Sequence, residues 1–127
     1  MTVFACVTCD NPLTGALREA RPAADGGQRA ARHRIGRPRM ARGTFSAGRD
    51  GAVFVVHPDD VPGTRRHPDS GRRNGCCGPD GLDGPNLVCA GCGAEVATKE
   101  ADCWTPNLVA LIASAVRILP EAAGGER

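Results

Sequence analysis

The sequence is poor in the large apolar and aromatic side chains that normally build a protein core. It contains no tyrosine, three phenylalanines and one tryptophan in 127 residues. Leu, Ile, Val and Phe together number 23, about 18% of the chain, which is near the lower limit for an ordered globular protein. The net charge is only +2, so the chain lacks the charge excess of a typical disordered protein. A small core with an additional stabilising element explains this composition best.

Long apolar runs and targeting signals are also missing. The longest apolar run, residues 108–119, includes Ser114 and Arg117 and is too short to span a bilayer. The first residues have neither the basic region nor the long apolar stretch of a secretory signal peptide. We therefore expect a cytoplasmic protein without a membrane partner. In that reducing setting C-x-x-C pairs serve as metal ligands or redox groups more often than as structural disulfides.

Cysteine, by contrast, is abundant. The chain has seven cysteines, and four of them form two C-x-x-C pairs, each of which follows a short apolar run. These four are Cys6, Cys9, Cys89 and Cys92. Two thiolate pairs held in tight turns supply a closed tetrahedral sulfur shell, which suits zinc. The sequence therefore predicts one structural zinc ion at these four cysteines.

Turn-forming residues accompany both pairs. Gly93 follows the second pair and can adopt positive φ, while Asp10 and Asn11 follow the first and tolerate the same left-handed geometry. Both segments resemble the knuckles of zinc-ribbon and rubredoxin-like proteins, over about 20 residues in all. Knuckles in ribbons are usually about 15–20 residues apart, whereas 79 residues separate Cys9 from Cys89 here. The resemblance thus implies a zinc ribbon with a long insert.

The other three cysteines are Cys76, Cys77 and Cys103. Together with His67 or His57 they would form a second metal or redox site; alternatively, they pack as small apolar side chains. In a competing arrangement Cys76 or Cys77 joins the second C-x-x-C pair, and the first pair is a redox or spare pair. The C-C-G sequence before a C-x-x-C pair also resembles the cysteine-rich domain of heterodisulfide reductases, which implies an iron–sulfur cluster.

The segment 74–89, together with the sequence Asp-Cys-Trp at 102–104, is similar to small uncharacterised cysteine-rich proteins of high-GC actinobacteria. That resemblance implies a zinc-ribbon-like domain and no particular activity.

Short strands are predicted at 44–46 and 52–56, joined by a hairpin through Asp50 and Gly51, and at 95–98. A helix is predicted from Thr105 and Pro106 to Pro120. Its apolar residues recur at helical spacing, at Leu108, Leu111, Ile112, Ala115 and Leu119. The predicted fold class is therefore small α+β, with zinc-ribbon-like short antiparallel strands, one C-terminal helix and long irregular inserts. We expect a single zinc-stapled domain over 1–127, with a mobile Arg-rich insert at 18–43 and a Gly/Pro-rich loop at 57–85.

Positive charge is concentrated in the middle of the chain. Residues 29–73 contain 11 arginines and 4 aspartates, a net charge of +7. Within this segment Arg34 and Arg39 flank a Gly-Arg-Pro core that contains Arg37. This sequence resembles the AT-hook, which lies in the minor groove of A·T-rich DNA. Arginines without acidic neighbours contact phosphates in a salt-sensitive way, although codon bias in a GC-rich genome also enriches arginine.

These observations predict a structural-zinc binding module, an adaptor that contacts nucleic acid or an acidic partner through residues 29–73. The alternative is a thiol-redox or metal-cluster protein that uses Cys76, Cys77 and Cys103. A closed four-sulfur shell leaves no open position for a catalytic water, so an enzymatic role is the less favoured interpretation.

Overall fold

A computed structural model describes residues 1–23 and 35–120 of the chain. Regular structure in these residues consists almost entirely of β-strands. The strands are β1 (Val3–Cys6), β2 (Arg18–Glu19), β3 (Thr44–Gly48), β4 (Val53–Val56), β5 (Thr64–Arg66), β6 (Leu87–Cys89), β7 (Glu95–Glu100), β8 (Leu108–Ile112) and β9 (Val116–Leu119). Single 3₁₀ turns occupy Arg49–Gly51, Ser70–Arg72 and Ala113–Ala115.

The strands form two sheets. The larger sheet has the order β2-β3-β4-β8-β7-β6-β5, and the smaller one pairs β1 with β9. All neighbouring strands are antiparallel except β2 and β3, which are parallel. Because β1 pairs with β9, the N-terminal strand lies beside the last strand of the described chain, and the ends of these two strands are held together.

The hairpin predicted between the strands at 44–46 and 52–56 is confirmed. β3 pairs with β4 in register from Phe45 opposite Val56 to Gly48 opposite Val53. The connecting turn places both Asp50 and Gly51 at positive φ, 56° and 88°, a conformation that Asp and Gly accept more readily than other residues. The strand predicted at 95–98 is also confirmed, as part of β7.

The predicted C-terminal helix is wrong, and with it the α+β class. Residues 108–112 form β8, which lies between β4 and β7 in the middle of the large sheet. A central strand buries both of its faces, so its sequence is a continuous apolar run, and Leu108–Ile112 satisfies helical spacing as well as strand burial. Thr105 caps a turn instead of a helix, since its hydroxyl accepts a hydrogen bond from the N–H of Asp102 (2.9 Å).

Parts of the two segments expected to be irregular contribute strands to the large sheet. β2 lies within the predicted insert 18–43 and pairs with β3 at one edge, while residues 24–34 of that insert are outside the described residues. β5 lies within the predicted loop 57–85 and pairs with β6 at the other edge.

The core lies between the two sheets and depends on a few aromatic residues. Phe4 of β1 is fully buried. Its ring is 5.1 Å from that of Phe45 and 4.7 Å from that of Phe54, measured between centroids. These contacts fix the small sheet on β3 and β4 of the large one, and they hold Cys6, at the end of β1, beside the large sheet.

Candidate metal centres

The first C-x-x-C pair forms a tight turn at the end of β1. The carbonyl of Cys6 accepts a hydrogen bond from the N–H of Asp10 (2.8 Å), and the N–H of Cys6 donates to the carbonyl of Asn11 (2.9 Å). Asp10 has a positive φ of 64°. This left-handed residue closes the turn, as expected from the tolerance of Asp for that conformation.

The second pair forms the same turn at the end of β6. The carbonyl of Cys89 accepts from the N–H of Gly93 (2.9 Å), and the N–H of Cys89 donates to the carbonyl of Ala94 (2.8 Å). Gly93 has a φ of 81°. The two knuckles therefore share one hydrogen-bond pattern, with a left-handed residue four positions after the first cysteine in each.

The two knuckles face each other and bring four thiols together, which we call the four-cysteine centre. The sulfur atoms of Cys6, Cys9, Cys89 and Cys92 all lie within 4.8 Å of one another. The shortest distances join the two knuckles: 3.7 Å between the sulfurs of Cys6 and Cys92, and 3.6 Å between those of Cys9 and Cys89. Four sulfurs bound at about 2.3 Å to a central ion stand about 3.8 Å apart in a tetrahedron. The four thiols can therefore hold a metal ion with little rearrangement.

Polar groups around the second knuckle stabilise negative charge on one of these sulfurs. Burial by itself would raise the pKa of Cys89, but the backbone N–H groups of Cys92 and Gly91 outweigh it and lower that pKa to about 6. The Gly91 nitrogen is 3.3 Å from the Cys89 sulfur, and the Asn11 amide nitrogen is 3.5 Å from it. Because a metal binds the thiolate form, this environment favours ligation at Cys89.

The neighbouring thiol of Cys9 responds in the opposite direction. A hydrogen bond from the Asn11 backbone lowers the pKa of Cys9, but its surroundings and the thiols of Cys89, Cys92 and Cys6 together raise it to about 12. Four thiolates at these distances repel one another, and a divalent cation among them removes that repulsion.

Gly63, just before β5, contacts both knuckles, and its carbonyl accepts a hydrogen bond from the side-chain amide of Asn11 in the first knuckle (3.3 Å). Its N–H donates to the carbonyl of Leu13 (3.0 Å), and its carbonyl accepts from the N–H of Ala90 in the second knuckle (2.8 Å). A Cβ atom at this position would lie 1.9 Å from the carbonyl oxygen of Pro12 and 2.7 Å from the Cα of Leu13. Glycine is thus required here by the close approach of two chains, a role that the sequence pattern did not indicate.

A second group of thiols is formed by Cys76, Cys77 and Cys103, whose sulfurs all lie within 4.8 Å of one another; we call it the three-cysteine centre. Cys76 is exposed, and the other two are half-buried. The hydrogen bond with Cys103, the surrounding protein and Cys76 raise the pKa of Cys77 to about 11. The sulfurs of the vicinal Cys76 and Cys77 thus lie close together, in a stretch where the chain bends at residues 76–78.

The buried carboxylate of Asp102 organises this centre. It accepts backbone hydrogen bonds from Cys76 (2.9 Å), Cys77 (2.8 Å) and Cys103 (2.7 Å), and one from the indole nitrogen of Trp104 (3.0 Å). Asp102 is only 1% exposed. The backbone donors of Cys77, Cys76 and Cys103 outweigh burial and lower the pKa of Asp102 to about 2. Sequence reasoning placed Asp102 in a notable tripeptide but missed its role, which depends on a loop 25 residues away.

Glycines allow that loop to dock. A Cβ at Gly75 would lie 1.7 Å from the carbonyl oxygen of Gly78, and a Cβ at Gly78 would lie 2.4 Å from that of Ala101. The loop is further held by the N–H of Ala101, which donates to the carbonyl of Pro79 (2.8 Å). The residues on both sides of the two vicinal cysteines are thus fixed by backbone contacts.

The structure does not bring the histidines into the three-cysteine centre. The Nε2 atom of His67 is 2.9 Å from the Glu95 carboxylate, and its Nδ1 accepts from the N–H of Asp69 (3.0 Å). The Nδ1 of His57 accepts from the N–H of Asp59 (2.9 Å). Both rings are therefore engaged in local contacts.

The three arginines predicted to contact nucleic acid are only partly described. Arg34 lies outside the described residues. Arg37 is exposed and Arg39 half-buried, and the N–H of Arg39 donates to the carbonyl of Asn107, just before β8 (2.8 Å). The segment that carries these two arginines therefore runs along the start of a central strand.

Comparison of the chain with protein-family models, with curated proteins and with solved structures finds no significant match. No helix in residues 1–23 and 35–120 is long and apolar enough to cross a membrane. The described residues therefore form a nearly all-β fold with two cysteine clusters, each able to hold a metal ion.

Proposed function

We propose that the four-cysteine centre binds one structural zinc ion and that the chain is a zinc-stabilised β-sheet binding module. The observation that carries this proposal is that two knuckles with the same hydrogen-bond pattern bring four sulfurs within 4.8 Å of one another. Four protein ligands close the coordination shell, so the metal has a structural role and no position for a substrate or a catalytic water.

The zinc ion would stabilise the fold by closing a long stretch of chain. It would join the end of β1 to the knuckle after β6, across the 79 residues between Cys9 and Cys89. Structural zinc in finger peptides contributes about 10–16 kcal/mol at neutral pH, comparable with the whole stability of a typical domain. A chain with so few large apolar residues needs a contribution of this size.

Elemental analysis and native mass spectrometry of tag-free protein would identify the metal. One zinc per chain, lost together with the folded state on chelation, is the expected result for the four-cysteine centre. An iron ion in the same sulfur shell would give a coloured protein and would contradict zinc.

None of the seven cysteines, all of which lie in the described residues, forms a disulfide, which favours a reducing compartment such as the cytoplasm.

As the partner of this module we propose nucleic acid or an acidic protein, contacted through the arginines of 29–73. The exposed side chain of Arg37 and the Arg-rich composition support this. For a phosphate backbone, affinity should fall steeply as salt is raised. A DNA duplex whose affinity is unaffected by Arg37→Gln and Arg39→Gln, or does not depend on salt, would contradict contact through this segment.

A second candidate function is metal binding at the three-cysteine centre, which the convergence of Cys76, Cys77 and Cys103 favours. Three protein ligands leave a fourth position for water or an exogenous ligand, as in catalytic rather than structural zinc sites. The raised pKa of Cys77 disfavours a reactive thiolate there at neutral pH. Metal ligation is supported instead by the convergence of the three sulfurs, which all lie within 4.8 Å of one another.

Metal stoichiometry separates the two candidate functions. Two metal ions per chain, falling to one in Cys103→Ser, would support ligation at the three-cysteine centre, because the four-cysteine centre is untouched by that change. Asp102→Asn should have the same effect, since an amide cannot accept all the hydrogen bonds that fix the three cysteines. One metal ion in both the wild type and Cys103→Ser would contradict the second site and leave the first intact.

A further inference from the structure

A cleft with a volume of about 500 Å³ opens beside β5, at the edge of the large sheet. Three cationic side chains line it, and the remaining wall is glycine, proline, Asn86 and Leu87. The cations are Arg66, Arg73 and Lys99; we call this the basic cleft. Clefts of this size are typical of small-molecule sites, and among the described residues no acidic side chain lines this one.

The sheet itself brings the cations to one side. Arg66 of β5 lies directly opposite Leu87 of β6, and Leu87 lies opposite Ala97 of β7. Lys99 stands two residues after Ala97, and residues two apart on a strand share a face. The side chain of Asn86 fixes this part of β7, because it accepts from the N–H of Lys99 (2.6 Å) and donates to its carbonyl (2.9 Å). Cations from two different strands thus stand at fixed positions.

Arg73 comes to the cleft from the chain that leads into the three-cysteine centre. Its backbone N–H donates to the carbonyl of Ser70 in the preceding 3₁₀ turn (3.1 Å). Its Nε atom is buried and has no hydrogen-bond partner among the described residues. A buried guanidinium nitrogen without an acceptor is costly, and a small shift of this side chain toward an anion in the cleft would supply an acceptor.

The three cations of the cleft also lack carboxylate partners within the described residues. Other arginines do find such partners: Arg42 pairs with Asp60, Arg49 with Glu100, and Arg72 with Glu95. Three unneutralised like charges around one cavity repel one another, and the walls reduce screening by solvent. The field in the cleft therefore favours a ligand with negative charge.

We propose that the basic cleft binds a small organic oxyanion, a phosphate or carboxylate compound whose apolar part contacts Leu87 and Pro79. Guanidinium groups match the geometry of phosphate and carboxylate oxygens and bind them through paired hydrogen bonds. Arg66 and Arg73 would hold the oxyanion, and Lys99 would add a point charge. This proposal does not depend on a metal at either cysteine centre.

Isothermal titration calorimetry with three probes of one shape tests the ligand class. Phenyl phosphate and benzoate share an aromatic body and differ in the oxyanion, while benzylamine has a similar body and a positive charge. We expect the protein as purified to bind one or both anions at a single site and benzylamine at none. The tighter of the two anions identifies the class, phosphate or carboxylate. Binding of neither anion, or of all three probes equally, would overturn the proposal.

Charge-removing variants locate the site. Arg66→Gln and Arg73→Gln should each weaken the binding of the preferred anion by about tenfold or more, because each removes a charge-assisted hydrogen bond. Arg18→Gln is the matched control: it removes the same charge from β2, which forms the opposite edge of the same sheet. Arg66 is exposed, so its substitution leaves the fold intact, and a thermal melt checks this. An equal loss of affinity in Arg18→Gln, or no loss in Arg66→Gln and Arg73→Gln, would show non-specific attraction instead of a site.

Discussion

Replacing Cys92 by serine distinguishes a knuckle that is held by metal from one that is held by protein contacts alone. Cys92 is exposed, and its sulfur is 3.7 Å from that of Cys6 on the facing knuckle. Without a metal the substitution exchanges one small exposed side chain for another, and such changes usually alter stability by less than about 0.5 kcal/mol. With a metal it removes one of four ligands.

The expected magnitude follows from the contribution of the site. If structural zinc stabilises the fold by about 10–16 kcal/mol, an equal share for each ligand is about 2.5–4 kcal/mol. Typical domains unfold with a total of about 5–15 kcal/mol. We therefore expect Cys92→Ser to lower the free energy of unfolding by at least about 2.5 kcal/mol.

Urea denaturation followed by circular dichroism, with and without a chelator, measures this effect. The chelator should destabilise the wild type strongly and Cys92→Ser much less, because substitution and metal removal act on the same interaction and are not additive. Ala90→Ser is the control: it adds a hydroxyl group at another exposed position of the same knuckle and should behave as the wild type. Equal stability of Cys92→Ser and wild type, or equal sensitivity of both to the chelator, would refute a structural metal at this centre.

Three further predictions concern the frame around the centres. Gly63→Ala should lower the free energy of unfolding by about 1–3 kcal/mol, measured from the urea midpoint, because its Cβ would collide with backbone atoms. Gly15→Ala is the control and should be nearly neutral, since nothing lies within 4 Å of its Cβ. Equal effects of the two substitutions would contradict the close approach at Gly63. In the same assay Phe4→Ala should lower the free energy of unfolding by about 3–5 kcal/mol, and Phe4→Leu by less, because the ring joins the two sheets. A decrease below about 1 kcal/mol for Phe4→Ala would contradict that packing. The hydrogen bond from His67 lowers the pKa of Glu95. The stability that Glu95 adds over Glu95→Gln should therefore be complete above the ordinary Glu pKa of about 4.5 and should be lost as the pH falls below that value. Thermal melts of both proteins over this pH range would refute the prediction if the difference between their melting temperatures did not change with pH.

The local chemistry of the four-cysteine centre could be predicted from the sequence. Each C-x-x-C pair needs a backbone turn whose N–H groups point at sulfur, and the left-handed residues that close such turns were visible as Asp10 and Gly93. These are short-range requirements on φ, ψ and residue type. The hairpin between β3 and β4 was visible for the same reason, because an Asp-Gly turn between β-branched residues is a local signal.

The C-terminal helix could not be excluded from the sequence. Leu108–Ile112 is apolar at nearly every position, and such a run is compatible with helical spacing and with a strand buried on both faces. The choice depends on hydrogen-bond partners distant in sequence, β4 at 53–56 and β7 at 95–100. Tertiary pairing overrides intrinsic preference in segments of this kind.

Residues whose role requires two distant chains were missed for a related reason. Asp102 acts through the backbone of Cys76 and Cys77, and Gly63 through contacts with both knuckles. An isolated Asp or Gly gives no signal of such a partner. His67 was predicted near the three cysteines, but its ring contacts Glu95 of β7. His67 follows β5, and β6 lies between β5 and β7, so this contact depends on the strand order.

The sequence by itself determined which residues can bind a metal and which turns present them, because ligand chemistry and turn geometry are properties of a few adjacent residues. The tertiary structure decided which cysteines share a centre, that Leu108–Ile112 and Val116–Leu119 form strands, and that three cations meet in one cleft. Those outcomes depend on strand order and register, which are set by contacts between residues far apart in the chain and have no local signature.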